Sequence, residues 1–235
     1  VQLSVEFDDA GTRSLEADVI DRSRFDSVTT GSAPTASAIR IAGDGLVTYV
    51  ELTSNKSLTI TQQKESEDFL GNVTREDETF QLDIESLGGS PSVFNISEDG
   101  RHLFVGTQSG QIGHWDLRKI GNPELRTVVR EGHAAITALD FVFGDVTLAV
   151  GTEEGGLSGW FAVMQNEENG KRLARIKTLR PMTSAIQSIQ PTRRNKAIFV
   201  RDAAGHVSAS HMTTERSLLT LPGASGIQVF GISEK

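Results

Sequence analysis

Residues 106–116 read GTQSGQIGHWD and residues 151–161 read GTEEGGLSGWF, so one pattern occurs twice in the chain. Each copy opens on Gly-Thr, has a glycine at its centre and reaches a tryptophan, Trp115 in the first and Trp160 in the second, 45 positions apart. A period of this length is typical of repeat architectures, in which each repeat forms one supersecondary unit that packs on its neighbours.

The rest of the chain favours β-structure around these two copies. Short runs of Val, Ile, Leu, Phe and Thr alternate with turn residues, and apolar residues at helical spacing are scarce. Four strands in about 45 residues is the content of one propeller blade. We therefore predict an all-β, propeller-like fold with about five blades' worth of four-stranded antiparallel sheets, in a ring that need not be complete.

The predicted domain is residues 1–235, a single propeller-like unit cut from a longer chain. Blade-like units are predicted near residues 36–61, 91–130, 132–180 and 184–221, with a partial blade at 226–235. The acidic stretch 62–90 matches no blade cleanly.

Composition limits the chemistry that this chain can perform. It has 235 residues, of which 37% are hydrophobic and 23% are charged, which is ordinary for a globular protein with a real core. It has no cysteine, which excludes disulfides, thiolate zinc sites and thiol nucleophiles. No apolar run reaches the roughly 18–20 residues that a membrane-spanning helix needs.

Charge is distributed unevenly along the chain. The net charge of −8 argues against a general nucleic-acid-binding protein, because phosphate contacts need clustered Lys and Arg. The bases concentrate instead between residues 171 and 196, where no acid occurs. We call these eight residues the basic set: Lys171, Arg172, Arg175, Lys177, Arg180, Arg193, Arg194 and Lys196.

Four residues give the repeats a resemblance to WD-repeat β-propellers. Such blades have Gly-His before the first strand, Ser or Thr on the second and Trp-Asp on the third, and the resemblance implies that these side chains form a hydrogen-bonded set within a blade. The residues that carry it are Trp115, His133, Thr152 and Trp160. The match is partial, since Phe161 follows Trp160 where Asp is usual.

A second resemblance covers most of residues 36–233. The stretches VFNISEDGRHLFVGTQSGQIGHWDL and GHAAITALDFVFGDVTLAVGTEEGGLSGWF are similar to the large extracytoplasmic domain of some bacterial phosphate-type ABC transporter permease subunits. This resemblance implies a periplasmic domain of an inner-membrane protein, with other transporter subunits or a substrate-binding protein as partners. It also implies that separate subunits bind the nucleotide.

No pattern in the chain predicts catalysis, a cofactor or a metal. The five histidines lack zinc-ligand spacing, and neither GLSG at 156–159 nor GASG at 223–226 matches the G-x-S-x-G nucleophile motif. No phosphate-binding glycine loop is present. We expect no catalytic, cofactor-binding or metal-binding residues, and we expect the domain not to be an enzyme.

The basic set is the candidate surface for a partner or an anion. In a blade arrangement residues 171–180 form an outer strand and residues 192–196 a hairpin tip. There they could meet an acidic subunit face, a phosphate-loaded partner or an anionic membrane surface. Charged outer strands also serve simply to prevent edge-to-edge aggregation. Both interpretations stay open, and the sequence does not predict an oligomeric state.

Two other functions remain as alternatives. One is a free-standing cytosolic WD-repeat-like scaffold for protein interactions. The other, less favoured, is a propeller hydrolase or lactonase, which would need Asp, Glu, Asn or His side chains converging from the innermost strands.

Overall fold

The protein is described by a computed structural model that covers residues 2–7, 13–18, 34–67, 69–142, 147–166, 170–192, 195–221, 227 and 231. The chain divides into two compact units, residues 1–33 and 34–235. The first contains an antiparallel pair, β1 (Gln2–Phe7) and β2 (Arg13–Asp18). The sequence predicts one domain over the whole length.

The second unit contains four four-stranded antiparallel sheets, in each of which the strands are neighbours in chain order. We number them sheet I to sheet IV. Sheet I has β3 (Pro34–Ile41), β4 (Val47–Thr53), β5 (Leu58–Glu67) and β6 (Val73–Gln81); sheet II has β7 (Pro91–Ile96), β8 (His102–Thr107), β9 (Gln111–Asp116) and β10 (Glu124–Arg130). Sheet III has β11 (Ile136–Phe141), β12 (Thr147–Thr152), β13 (Leu157–Asn166) and β14 (Gly170–Thr178); sheet IV has β15 (Ile186–Pro191), β16 (Ala197–Asp202), β17 (Val207–His211) and β18 (Ser217–Thr220).

The turn between the second and third strands is built the same way in every sheet. Its last residue has a positive φ and donates its N–H to the carbonyl three residues earlier, a conformation that glycine adopts at least cost. Sheets II to IV have glycine there, and sheet I has a lysine. The residues are Lys56 (φ 66°), Gly110 (80°), Gly155 (82°) and Gly205 (78°).

The first strand of each sheet carries a matching irregularity. Its pairing with the second strand slips by one residue, between Pro91 and Val93 in sheet II and between Ile136 and Ala138 in sheet III. The extra residue is Ser92 or Thr137, whose hydroxyl donates to the carbonyl of the glycine opposite. Four repeats of one design indicate that the sheets are copies of one unit.

Consecutive sheets pack face to face, and each of the three contacts has its own apolar core. Side chains such as Val50 and Leu103 join sheets I and II, and Leu148 and Ile112 join sheets III and II. Ala149 and Ile198 belong to the core between sheets III and IV. Among the first strands, β7 contacts β3 and β11, and β11 contacts β15, so the sheets follow one another in chain order as propeller blades do.

Sheet I is larger than the sequence indicated. The predicted unit ended near residue 61, whereas β6 extends the sheet to Gln81. Nearly every residue of β6 is exposed, so the strand lacks the apolar alternation that marks a half-buried strand. Most of the predicted partial blade at 226–235 lies outside the described residues.

Candidate protein-interaction site

The junction between sheets II and III is organised by Trp160 and Glu131. Trp160, on β13, is only 4% exposed, and its indole N–H donates to Glu131 Oε2 at 2.8 Å and to Ser158 Oγ at 3.0 Å. The Ser158 hydroxyl donates to the same carboxylate oxygen at 2.8 Å. Glu131 Oε1 forms an ion pair with Arg175 Nη1 at 3.2 Å. One carboxylate thus ties the connection after β10 to two strands of sheet III.

This arrangement differs from the one that the WD-repeat resemblance implied. His133 is exposed, and its Nδ1 lies 3.5 Å from Arg130 Nη1. The Trp160 N–H is accepted by Glu131 and Ser158. The Thr152 hydroxyl accepts the Gly156 N–H at 2.9 Å, which holds the turn before β13. Nothing in the sequence singled out Glu131, because it precedes Gly-His without matching any motif.

Trp115 is placed at the corresponding junction between sheets I and II. It is 2% exposed and packs in the core with Leu87 and Leu117. Both tryptophans are therefore buried between sheets. In sheet IV, Ser210 takes the matching position, and Met212 fills part of the junction, with its sulfur close to Gly159.

The structure describes the side chains of five of the eight residues of the basic set. Arg175 pairs with Glu131, and Lys177 Nζ lies 2.8 Å from Glu215 Oε1. Arg172 and Arg180 are exposed. Lys196 is exposed with a positive φ of 56°. Three members cannot be placed by their side chains: Lys171, whose backbone is in β14, and Arg193 and Arg194, which lie outside the described residues.

An open cleft with a volume of about 530 Å³ lies between β10 of sheet II and β14 of sheet III. Arg130 stands on the β10 side, and Arg172 on the β14 side. Trp160 and Leu173, both buried, contribute to its floor. The cleft therefore combines exposed cations at its walls with an apolar base, and it includes one residue of the basic set.

Polar side chains also connect the first strands of sheets II and III. Asn95 Nδ2 donates to Leu139 O at 3.0 Å and to Asp140 Oδ1 at 3.2 Å. Burial raises the pKa of Asp140 to about 6, although hydrogen bonds from Phe141 N–H and Asn95 and the charge of Arg40 act in the opposite direction. The raised pKa reflects a carboxylate that is held away from water between two sheets.

A pair of histidines lies in sheet II. His102 Nδ1 and His114 Nε2 are 3.2 Å apart, and the His114 ring stacks on Phe104 with centroids 4.4 Å apart. Burial, together with the nearby His102, lowers the pKa of His114 to about 4. This pair belongs to the packing of β8 on β9 and contains no carboxylate.

Asp116, the last residue of β9, accepts hydrogen bonds from Arg118 and Arg126. Hydrogen bonds from Arg118, followed by one from Arg126, keep the pKa of this buried carboxyl well below its usual range despite its burial. In the sequence, Asp116 is recognisable only as the second residue of a Trp-Asp pair. Within the described ranges, no three His, Asp or Glu residues come together as a potential metal site.

In the part of the chain that the structure describes, no helix has both the length and the apolar character needed to cross a bilayer.

Comparison with known proteins identifies the fold and goes no further. No protein-family model and no curated protein matches the chain. Two similar solved structures are the computationally designed Ika8 protein, with 15% identity and a TM-score of 0.54, and a chain of the mitotic checkpoint complex, with 13% identity and a TM-score of 0.53. The matches cover 83% and 82% of this chain but only 52% and 57% of those chains, so this chain spans about half the length of either structure. Together with the four packed sheets, these matches identify an all-β, β-propeller-like fold.

Proposed function

We propose that this chain is a non-catalytic interaction and regulatory module, and that it forms the extracytoplasmic part of a phosphate-type ABC importer permease. The observation that carries the interaction role is the cleft between β10 and β14, where exposed Arg130 and Arg172 stand above a buried apolar floor. The transporter context rests on the sequence resemblance of residues 36–233.

The contacts of β14 support a partner-binding role for part of the basic set. Arg175 and Lys177 pair with acids of this chain, whereas Arg172 lines the cleft and has no ion pair within the described residues. An acidic face of another transporter subunit, or of a substrate-binding protein, is complementary to this surface.

The proposal includes a ring of about five blades. Support comes from Ile227, whose carbonyl accepts from Arg201 Nη1 at 3.4 Å. Arg201 is the fifth residue of β16, the position that Gly106 has in β8 and Gly151 has in β12. Each of those glycines lies against the isoleucine that begins the next sheet. By this correspondence, we propose that Ile227 begins a further first strand.

Cysteine labelling of the full-length protein tests the proposed location. The chain has no cysteine, so a single Lys119→Cys substitution at an exposed turn introduces one reporter thiol. In intact cells, with any other cysteines of the full-length protein removed, a membrane-impermeant maleimide should label this thiol without lysis. Labelling that requires lysis would refute the extracytoplasmic location.

A free-standing cytosolic scaffold is the second candidate. The neighbour from the mitotic checkpoint complex supports it, because that chain is part of a multiprotein assembly. The same labelling experiment separates the two candidates, since a cytosolic scaffold is labelled only after the membrane is opened.

A further inference from the structure

The cleft between β10 and β14 has the dimensions of a ligand site. Its volume of about 530 Å³ lies within the range of roughly 300–1,000 Å³ that is usual for binding pockets. It is open along the outer strands of two neighbouring sheets, so a chain could lie in it without any rearrangement of the fold.

The two arginines at its walls have charge that the described residues do not neutralise. Arg130 Nη1 lies 3.3 Å from Ser109 O and 3.5 Å from Gly132 O, which are neutral acceptors. Neither Arg130 nor Arg172 forms an ion pair with a carboxylate of the described residues. The nearby Glu131 is already engaged by Arg175 and Trp160.

The floor of the cleft is apolar. Val129, Trp160 and Leu173 are each more than nine-tenths buried, and they line the cleft together with the two arginines. Gln111 adds an amide that can bind a backbone group. A ligand that satisfies the whole cleft therefore needs anionic groups on both sides of an aliphatic one.

We infer that this cleft binds an extended acidic peptide segment of a partner protein, in which aliphatic side chains alternate with carboxylates. The carboxylates pair with Arg130 and Arg172, and the aliphatic side chain rests on Leu173 and Trp160. A phosphate ion alone would leave the apolar floor uncovered, and a flat membrane surface cannot enter a cleft between strands. This inference rests on the proposed interaction role and names the chemistry of the partner.

Peptide binding can be measured with a reporter inside the cleft. The chain has two tryptophans, and Trp115 lies in a different core, so a Trp115→Phe variant leaves Trp160 as the sole indole. The probe is a short fluorescein-labelled peptide of alternating glutamate and leucine, followed by anisotropy. Unlabelled peptide is then used to follow Trp160 emission.

The expected results are specific to the cleft. Arg130→Ser and Arg172→Ser should each weaken binding about tenfold, because each removes a charge-assisted contact. Lys119→Ser, an exposed cation outside the cleft, should change it by less than about twofold. A glutamate–serine peptide should bind more weakly, Trp160 emission should shift on saturation, and added salt should reduce affinity.

Several results would overturn the inference. The inference fails if the arginine variants bind the peptide as tightly as the parent does, or if the glutamate–serine peptide binds as tightly as the glutamate–leucine peptide. It also fails if Trp160 emission is unchanged at saturation. Binding to phosphatidylglycerol vesicles through these arginines, without peptide binding, would point to a lipid surface instead. Failure here leaves the cysteine-labelling result untouched. Conversely, labelling from the cytoplasm would refute the transporter role while peptide binding could persist.

Discussion

The packing of one sheet on the next can be tested at Gly151. A Cβ added there would lie 2.5 Å from Ile186 Cγ2 and 2.6 Å from Ile186 Cβ, far inside normal contact. Gly151 is on β12 of sheet III, and Ile186 begins β15 of sheet IV. The absence of a side chain on one strand is thus matched to a bulky side chain on the next sheet.

The magnitude follows from two opposing terms. Overpacking of this kind costs about 1–3 kcal/mol, and replacing a strand glycine by alanine recovers about 0.5–1 kcal/mol of backbone entropy. Gly151→Ala should therefore reduce the free energy of unfolding by about 1–2 kcal/mol. Ile186→Ala alone should cost about 2–5 kcal/mol, because Ile186 is fully buried.

The double variant provides the decisive comparison. If the two residues touch, Gly151→Ala with Ile186→Ala should be less destabilised than the sum of the single variants by about 1–3 kcal/mol, since the added methyl then fills space that Ile186 vacates. Urea unfolding followed by circular dichroism measures all four proteins. Gly132→Ala is the control, because nothing lies within 4 Å of its added Cβ. Strict additivity, or a stabilising Gly151→Ala, would refute this sheet-to-sheet contact.

Substitutions at three further positions test other parts of the structure. Trp160→Ala should lower the free energy of unfolding by about 3–5 kcal/mol. Trp160→Phe should lower it by about 1–3 kcal/mol, because the hydrogen bond to Glu131 is lost. An unchanged melting temperature in both variants would contradict the burial of Trp160. Gly155→Ala should cost about 2–4 kcal/mol, because its φ is 82° and its Cβ would meet Met182 O at 2.5 Å; denaturant melts that match the parent would disprove this turn. Asp140→Asn should stabilise the fold at pH 7 by up to about 3 kcal/mol, since burial raises the folded-state pKa from 3.8 to about 6. Because the folded-state pKa is raised, the contribution of Asp140 to the free energy of unfolding of the parent is highest below pH 3.8 and falls as pH rises through about 6. The stability difference between the asparagine variant and the parent should therefore disappear near pH 4. An equal difference at pH 4 and pH 7 would rule out this origin.

Sheets II and III carry the clearest signal in the sequence, because few other residue types can occupy the positions that define their repeat. Gly110 and Gly155 occupy turns with positive φ, and Trp115 and Trp160 fill the junctions between sheets. Backbone strain and side-chain volume leave few substitutes at such positions, so the repeat is visible in the sequence.

Sheet I was only partly predicted for equally physical reasons. Lys56 adopts the same turn conformation as the glycines with a φ of 66°, so the glycine that marks the other turns is missing. Strand β6 is an exposed outer strand whose polar residues carry no period-two signal. Hydrogen bonding to strand β5 holds it in place, and of its residues only Phe80 packs against the core.

The cleft itself could not be predicted from sequence. The basic set indicated β14, but Arg130 is more than forty positions away and reaches the same cleft only because sheets II and III pack together. Glu131 likewise acts across that junction, on Trp160 and Arg175. Contacts between repeats depend on their relative placement, which a single sequence does not encode as a motif.

Site-specific photo-crosslinking of the full-length protein in its host tests the central functional claim most directly. Benzoylphenylalanine replaces Ile176, an exposed apolar residue of β14, and, as a matched control, Leu218, an exposed apolar residue of the outer strand β18. Ile176 should crosslink to another phosphate-importer subunit or to its substrate-binding protein, and Leu218 should give much less of the same product. Equal products from both positions, or crosslinks from Ile176 only to cytosolic proteins, would contradict that claim.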